Sequence, residues 1–133
     1  MKQFKLQKLQ DNLRNKFFIQ GVKMVGPETI YFSKDTKIGK NVTIEPYVVF
    51  GTKVKIGNNV TIKSFSHLEN CKVENKVDIG PYARIRPGTV LKRGSKVGNF
   101  VEIKKSTLGK NSKVSHLTYI GDSLIGKSVN VGA

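Results

Sequence analysis

Arg86, Lys104 and His116 are the residues of this 133-residue chain whose types and spacing suggest chemistry. Arg86 and Lys104 stand 18 residues apart. In a fold that repeats every 18 residues, a guanidinium and an ammonium would lie side by side. They would repel each other unless an anion sat between them, which points to a phosphate or carboxylate ligand. His116 carries an imidazole, the side chain most often used as a general base. The other histidine, His67, is far along the chain, so no metal cluster is expected. The single cysteine, Cys71, reads as core filler and not as a nucleophile.

Whether these residues meet depends on the elements that carry them. From Phe32 onward an aliphatic or Phe residue falls on every sixth position, through Ile38, Ile44, Phe50, Ile56, Ile62 and Leu68. Steps of five at Val73, Leu108 and Ile125 interrupt a series that otherwise continues to Val131. Two residues before each lies a smaller side chain, such as Val42, Val54, Ser66 or Cys71, and Gly often follows. Such hexads belong to a parallel β-helix, in which three make one 18-residue coil. The chain reads as all-β, with about six coils over 32–133. Each coil buries its apolar residues only against its neighbours. The series stops in mid-coil at Val131-Gly132-Ala133, so the β-helix is expected to be incomplete at its C-terminus.

Stacking the coils sorts the outward residues into columns. Arg86 and Lys104 become neighbours just after one inward column. Lys37, Lys55 and Lys72 stack in the same way, so stacked charge alone does not single out a ligand site. His116 projects at a corner between Asn99 and Ala133. Beside it run Tyr47, Phe65, Tyr82, Phe100 and Leu117, a row too apolar to leave in water and expected to be covered by another copy of the chain. Arg84, Glu102 and Tyr119 form a further column, in which Arg84 and Glu102 are expected to make a surface ion pair.

Ahead of the coils, residues 1–20 carry Phe4, Leu6, Leu9, Leu13 and Phe17 at helical spacing, and Gly21 stands at the C-cap position. This linker helix is expected to pack on the first coil or on a partner domain, with 21–31 as a linker containing Gly26-Pro27. The net charge of +15 comes from lysines spread over nearly every coil. No RNA- or DNA-binding motif accompanies them, so a solvated surface is expected and a nucleic-acid partner is not. No apolar run approaches the roughly 20 residues of a membrane span, and Met1-Lys2-Gln3 opens no signal peptide, which suits a cytoplasmic protein.

The segments GPYARIRPGTVL, VGNFVEIKKSTLGKNSKVSHLTYIGDSLIG and VNVGA resemble a known family. They are similar to the acetyltransferase half of the bacterial bifunctional N-acetylglucosamine-1-phosphate uridyltransferase / glucosamine-1-phosphate N-acetyltransferases. The resemblance runs from the helix to the last residue and is densest over 79–133. It implies a left-handed parallel β-helix assembled as a homotrimer. The activity implied is transfer of acetyl from acetyl-CoA to glucosamine 1-phosphate, at a step that feeds peptidoglycan and lipopolysaccharide precursors. By motif, Arg86 and Lys104 match sugar-phosphate ligands, His116 the proton acceptor, and Tyr119 and Asn130 further substrate contacts. Ala133 matches a backbone contact to acetyl-CoA. The uridyltransferase portion of that family has no counterpart in this sequence. Another hexapeptide acyltransferase of sugar nucleotides and a non-catalytic trimerising scaffold stand as alternatives.

Overall fold

The computed structural model describes residues 2–132. A helix, Lys2–Gln20, leads into short parallel strands that wind as a left-handed β-helix of about six coils. The three expected inward columns are formed. Phe50, Leu68, Ile85, Ile103 and Ile120 pair in one. Ile38, Ile56, Val73, Leu91, Leu108 and Ile125 pair in the second. Ile44, Ile62, Ile79, Val97, Val114 and Val131 pair in the third. Ile44, Ile62, Leu68, Ile79, Ile85 and Leu91 are fully buried. Each such side chain stabilises the fold by about 1.5–3 kcal/mol through lost apolar surface.

The three columns define three outer faces, here named first, second and third, but only two hydrogen-bonded sheets. The second face is a 6-stranded sheet, while the first and third join in a 10-stranded one. Two nine-residue strands, Lys96–Lys104 and Lys113–Gly121, make that join by running unbroken through a corner.

From Asn41 onward each turn of the coil holds a residue with left-handed φ, the conformation that a non-Gly side chain resists. Two of the three corners use residues that tolerate it or reach into solvent, including Asn41, Asn59, Asn70, Gly88, Gly94 and Asn111. The third corner, between the third and first faces, uses Tyr47, Phe65, Tyr82, Phe100 and Leu117. The left-handed residues also step by five at Phe65–Asn70, Phe100–Lys105 and Leu117–Asp122. All three shortened steps therefore fall in the same turn, between the first and second faces, and the strands stay in register.

The helix caps the first coil. The Gln10 side-chain amide donates to the Phe32 carbonyl at 2.8 Å and accepts from its N–H at 2.9 Å, as a neighbouring strand would. Arg14 Nε donates to the Ile30 carbonyl at 3.0 Å, and Gln20 to that of Ile38. Phe17 is buried against Phe32, ring centroids 4.7 Å apart. Gly21 (φ 101°) ends the helix, with Val22 N–H bonded to the Phe17 carbonyl and Gly21 N–H to that of Phe18, a Schellman pair.

Two expectations need correction. Only Leu13 and Phe17 of the predicted stripe are buried and Leu9 is partly so, whereas Phe4 and Leu6 are exposed because the helix extends past the coil it covers. Residues 23–24, expected in a linker, form a strand paired with Thr43–Ile44, which adds Met24 to the third column.

Candidate active site

The strands Lys96–Lys104 and Lys113–Gly121 position most of the candidate residues. Their register sets Asn99 opposite His116, Glu102 opposite Tyr119 and Lys104 opposite Gly121. One coil earlier, the Arg86 N–H donates to the Ile103 carbonyl at 2.8 Å, which puts Arg86 beside Lys104. The cationic pair read from the spacing is thus formed on the first face.

The expected ion pair between Arg84 and Glu102 is not. The two residues are opposite in register, yet the Glu102 carboxylate turns to Arg86, with Nη1 to Oε2 at 2.9 Å. The Arg86 side chain is 33% exposed and that of Glu102 36%, so the pair is only partly desolvated. Glu102 thus already supplies an anion to Arg86. Among the described residues Lys104 has no ion-pair partner.

The column of Arg86 and Lys104 continues to Gly121, where there is no side chain. The Tyr119 ring folds into that space, and a Cβ at 121 would collide with its phenol. The Tyr119 hydroxyl therefore shares the column of Lys104. In the sequence Gly121 is one more glycine after an inward residue; its pairing with Lys104 is the signal for this space.

His116 lies on the same strand as Tyr119, on the other side of the corner residue Leu117 (φ 49°). It is exposed, and its carbonyl accepts from the Thr118 hydroxyl at 2.8 Å. Among the described residues its imidazole has no hydrogen-bond partner. Asn130 pairs with Lys113 on the third face, so it belongs to the side of His116. The structure thus divides the candidates into two groups flanking one corner. Arg86, Glu102, Lys104 and Tyr119 stand on the first face, and His116 and Asn130 on the third. Ala133 lies outside the described residues.

The dividing corner is the aromatic one. Tyr47, Phe65, Tyr82 and Phe100 stack at 5.1, 4.9 and 5.0 Å between centroids, and all four remain about half exposed. A groove of about 420 Å³ runs beside them, with His67, Arg84 and Glu102 on its polar side. Left-handed backbone carrying large side chains costs roughly 1–2 kcal/mol per residue relative to Gly. Ring stacking returns about 0.5–1.5 kcal/mol per pair.

Cys71 is not part of this chemistry. It is buried in the 6-stranded sheet between Val54 and Thr89, and burial pushes its thiol up to about 12. The backbone hydrogen bond to Glu69 only partly opposes that rise. Among the described residues no group of three His, Cys, Asp or Glu side chains could hold a metal ion. No helix among them is long and apolar enough to cross a membrane.

A segment of the bifunctional protein GlmU of Zymomonas mobilis is 51% identical over 123 residues, covering 92% of this chain and 27% of that protein. The GlmU of Wolbachia pipientis is 47% identical over 124 residues, covering 93% and 29%. The chain therefore spans less than a third of the length of these relatives. GDP-perosamine N-acetyltransferase of Caulobacter crescentus, solved with CoA and GDP-perosamine, superposes with a TM-score of 0.74 at 15% identity. That superposition covers 96% of this chain and 62% of the other, and shows the shared fold. A model described as bacterial transferase hexapeptide (six repeats) matches residues 35–70. The model described as GMPPB C-terminal domain matches 67–133, half of the sequence. The chain belongs to the GMPPB C-terminal domain family.

Proposed function

We propose that this chain is the acetyltransferase segment of a GlmU-type protein, transferring acetyl from acetyl-CoA to the amine of glucosamine 1-phosphate. The observation that carries the reading is the column of Arg86, Lys104 and Gly121, with the Tyr119 phenol folded into it. Two stacked cations beside a hydroxyl suit the phosphate of a sugar 1-phosphate. Arg86 and Lys104 hold that phosphate, while Tyr119 and Asn130 contact the sugar. His116 accepts the amine proton as nitrogen attacks the thioester carbonyl and the CoA thiolate departs. Acyl transfer is direct, since the one thiol is buried and protonated. The backbone of Ala133 contacts acetyl-CoA.

A homotrimer joined along the aromatic corner completes the site. His116 and the Arg86–Lys104 column lie on the two faces that flank that corner, so a second copy packed there would bring one chain's histidine toward another's phosphate ligands. The setting is the cytoplasm, at the step that supplies UDP-N-acetylglucosamine for peptidoglycan and lipopolysaccharide. Isothermal titration with glucosamine 1-phosphate tests the assignment. Heat is expected from the wild type and a loss of at least tenfold in affinity from Arg86→Ala. No heat from the wild type, or equal heat from the variant, would leave a non-catalytic scaffold as the better reading.

A further inference from the structure

The lysine ladder on the second face is not used by the proposed chemistry. Lys37, Lys55 and Lys72 are directly opposite one another on consecutive strands of the 6-stranded sheet, and all three are exposed. Strand spacing puts successive rungs about 4.8 Å apart, where like charges destabilise a sheet. Among the described residues none of the three has an ion-pair partner. The nearby carboxylates are occupied elsewhere. Glu74 bonds Lys92 at 3.5 Å and the Arg93 N–H at 3.1 Å, and Asp35 takes the Lys53 N–H at 3.0 Å. Like charges also stack as Arg86 with Lys104 on the first face and as Lys96 with Lys113 on the third, but there carboxylates lie among them. The first carries Arg84 with Glu102, and the third sets Asp78 beside Lys96.

We infer that this face docks on an anionic lipid surface. Charge complementarity calls for an anionic partner, and the ladder lies on three consecutive strands of one sheet. A single-stranded nucleic acid calls for aromatic platforms on which bases stack, and this chain's aromatic ladder is on the opposite corner. Self-association through that corner leaves the lysine face open to solvent. The only other residues the sheet turns outward are Val90, Thr107 and Leu124, so no carboxylate on its strands opposes a bilayer.

Each lysine held near an anionic bilayer raises partitioning about fivefold. Co-sedimentation with phosphatidylglycerol/phosphatidylcholine vesicles at low salt is the test. Replacing Lys37, Lys55 and Lys72 together with Gln should lower partitioning about a hundredfold. The matched triple of Lys23, Lys96 and Lys113 to Gln, which removes the same charge from the third face, should lower it several-fold at most. Circular dichroism verifies that both variants fold, as exposed Lys→Gln changes should allow. Equal losses in the two triples, or no sedimentation of wild type with anionic vesicles, would overturn the inference. So would tighter binding to a single-stranded oligonucleotide that only the ladder variant loses, which would make nucleic acid the occupant.

Discussion

Glu102 competes with any phosphate for Arg86, and Glu102→Gln measures that competition. In the free chain the ion pair spans 2.9 Å but is about a third exposed on each side. Its contribution to stability is therefore about 0.5–1 kcal/mol, and the substitution should lower Tm by only a few degrees. Ligand binding should change more. A phosphate charge brought to about 5 Å from the carboxylate is repelled by about 0.8 kcal/mol at the dielectric of water and about 3 kcal/mol at an effective value near 20. Removing that charge should tighten phosphate binding by about 1–2 kcal/mol, or five- to thirtyfold. Inorganic phosphate is the right probe, because it lacks the amine that Glu102 would attract in the aminosugar. Titration followed by NMR or calorimetry, at low ionic strength, gives the affinity. Arg86→Ala in both backgrounds closes a double-mutant cycle: the gain that persists without Arg86 measures direct repulsion, and the part that is lost measures competition for the guanidinium. Unchanged or weaker phosphate binding by Glu102→Gln would refute the view that Glu102 holds the anion's place.

Four further outcomes are expected. His116→Ala should abolish acetyl transfer measured by CoA release while glucosamine 1-phosphate binding survives; retained turnover would remove His116 as the base. Tyr82→Asn suits the left-handed backbone at φ 55° but removes a ring from the stack, so sedimentation equilibrium should show dissociation toward monomer with secondary structure intact. Phe17→Ala should cost about 3–5 kcal/mol in urea unfolding, because it empties the contact that seats the helix on the first coil. The Cys71 thiol is raised from 9.0 to about 12 in the fold, so the unfolded chain releases that proton first. Its contribution is intact below pH 9 and is lost as pH rises toward 12, by up to about 1.4 kcal/mol per pH unit. Comparing the pH dependence of unfolding with that of Cys71→Ala isolates this slope.

The columns were legible because a hexad has only one inward register. Each assignment, from Phe50 against Leu68 to Val114 against Val131, follows by counting. Counting also brought Arg86 to Lys104. It could not choose between Arg84 and Arg86 as the partner of Glu102, because that choice depends on how side chains lean along the sheet and not on which residues are opposite. The Tyr119 ring over Gly121 was hidden for the same reason. Met24 escaped notice because a two-residue strand between Gly21 and Gly26 has no period of its own. The exposure of Phe4 and Leu6 reflects the length of the helix against the width of a coil, which spacing within the helix does not contain. The left-handed winding came from the family resemblance; periodicity alone is the same for either hand.

The aromatic corner has a consequence for attempts to improve this protein. The other two corners show what the backbone carries where it turns left-handed: Asn, Asp, Ser, Gly or Lys. A screen for heat resistance of the isolated chain would drift toward those residues at 47, 65, 82 and 100, gaining at each step by relaxing the backbone. Every such gain would erode the surface by which copies are proposed to meet, and with it the joint site. Robustness of one subunit and competence of the assembly would therefore diverge along that corner, and thermal selection for activity must screen the oligomer.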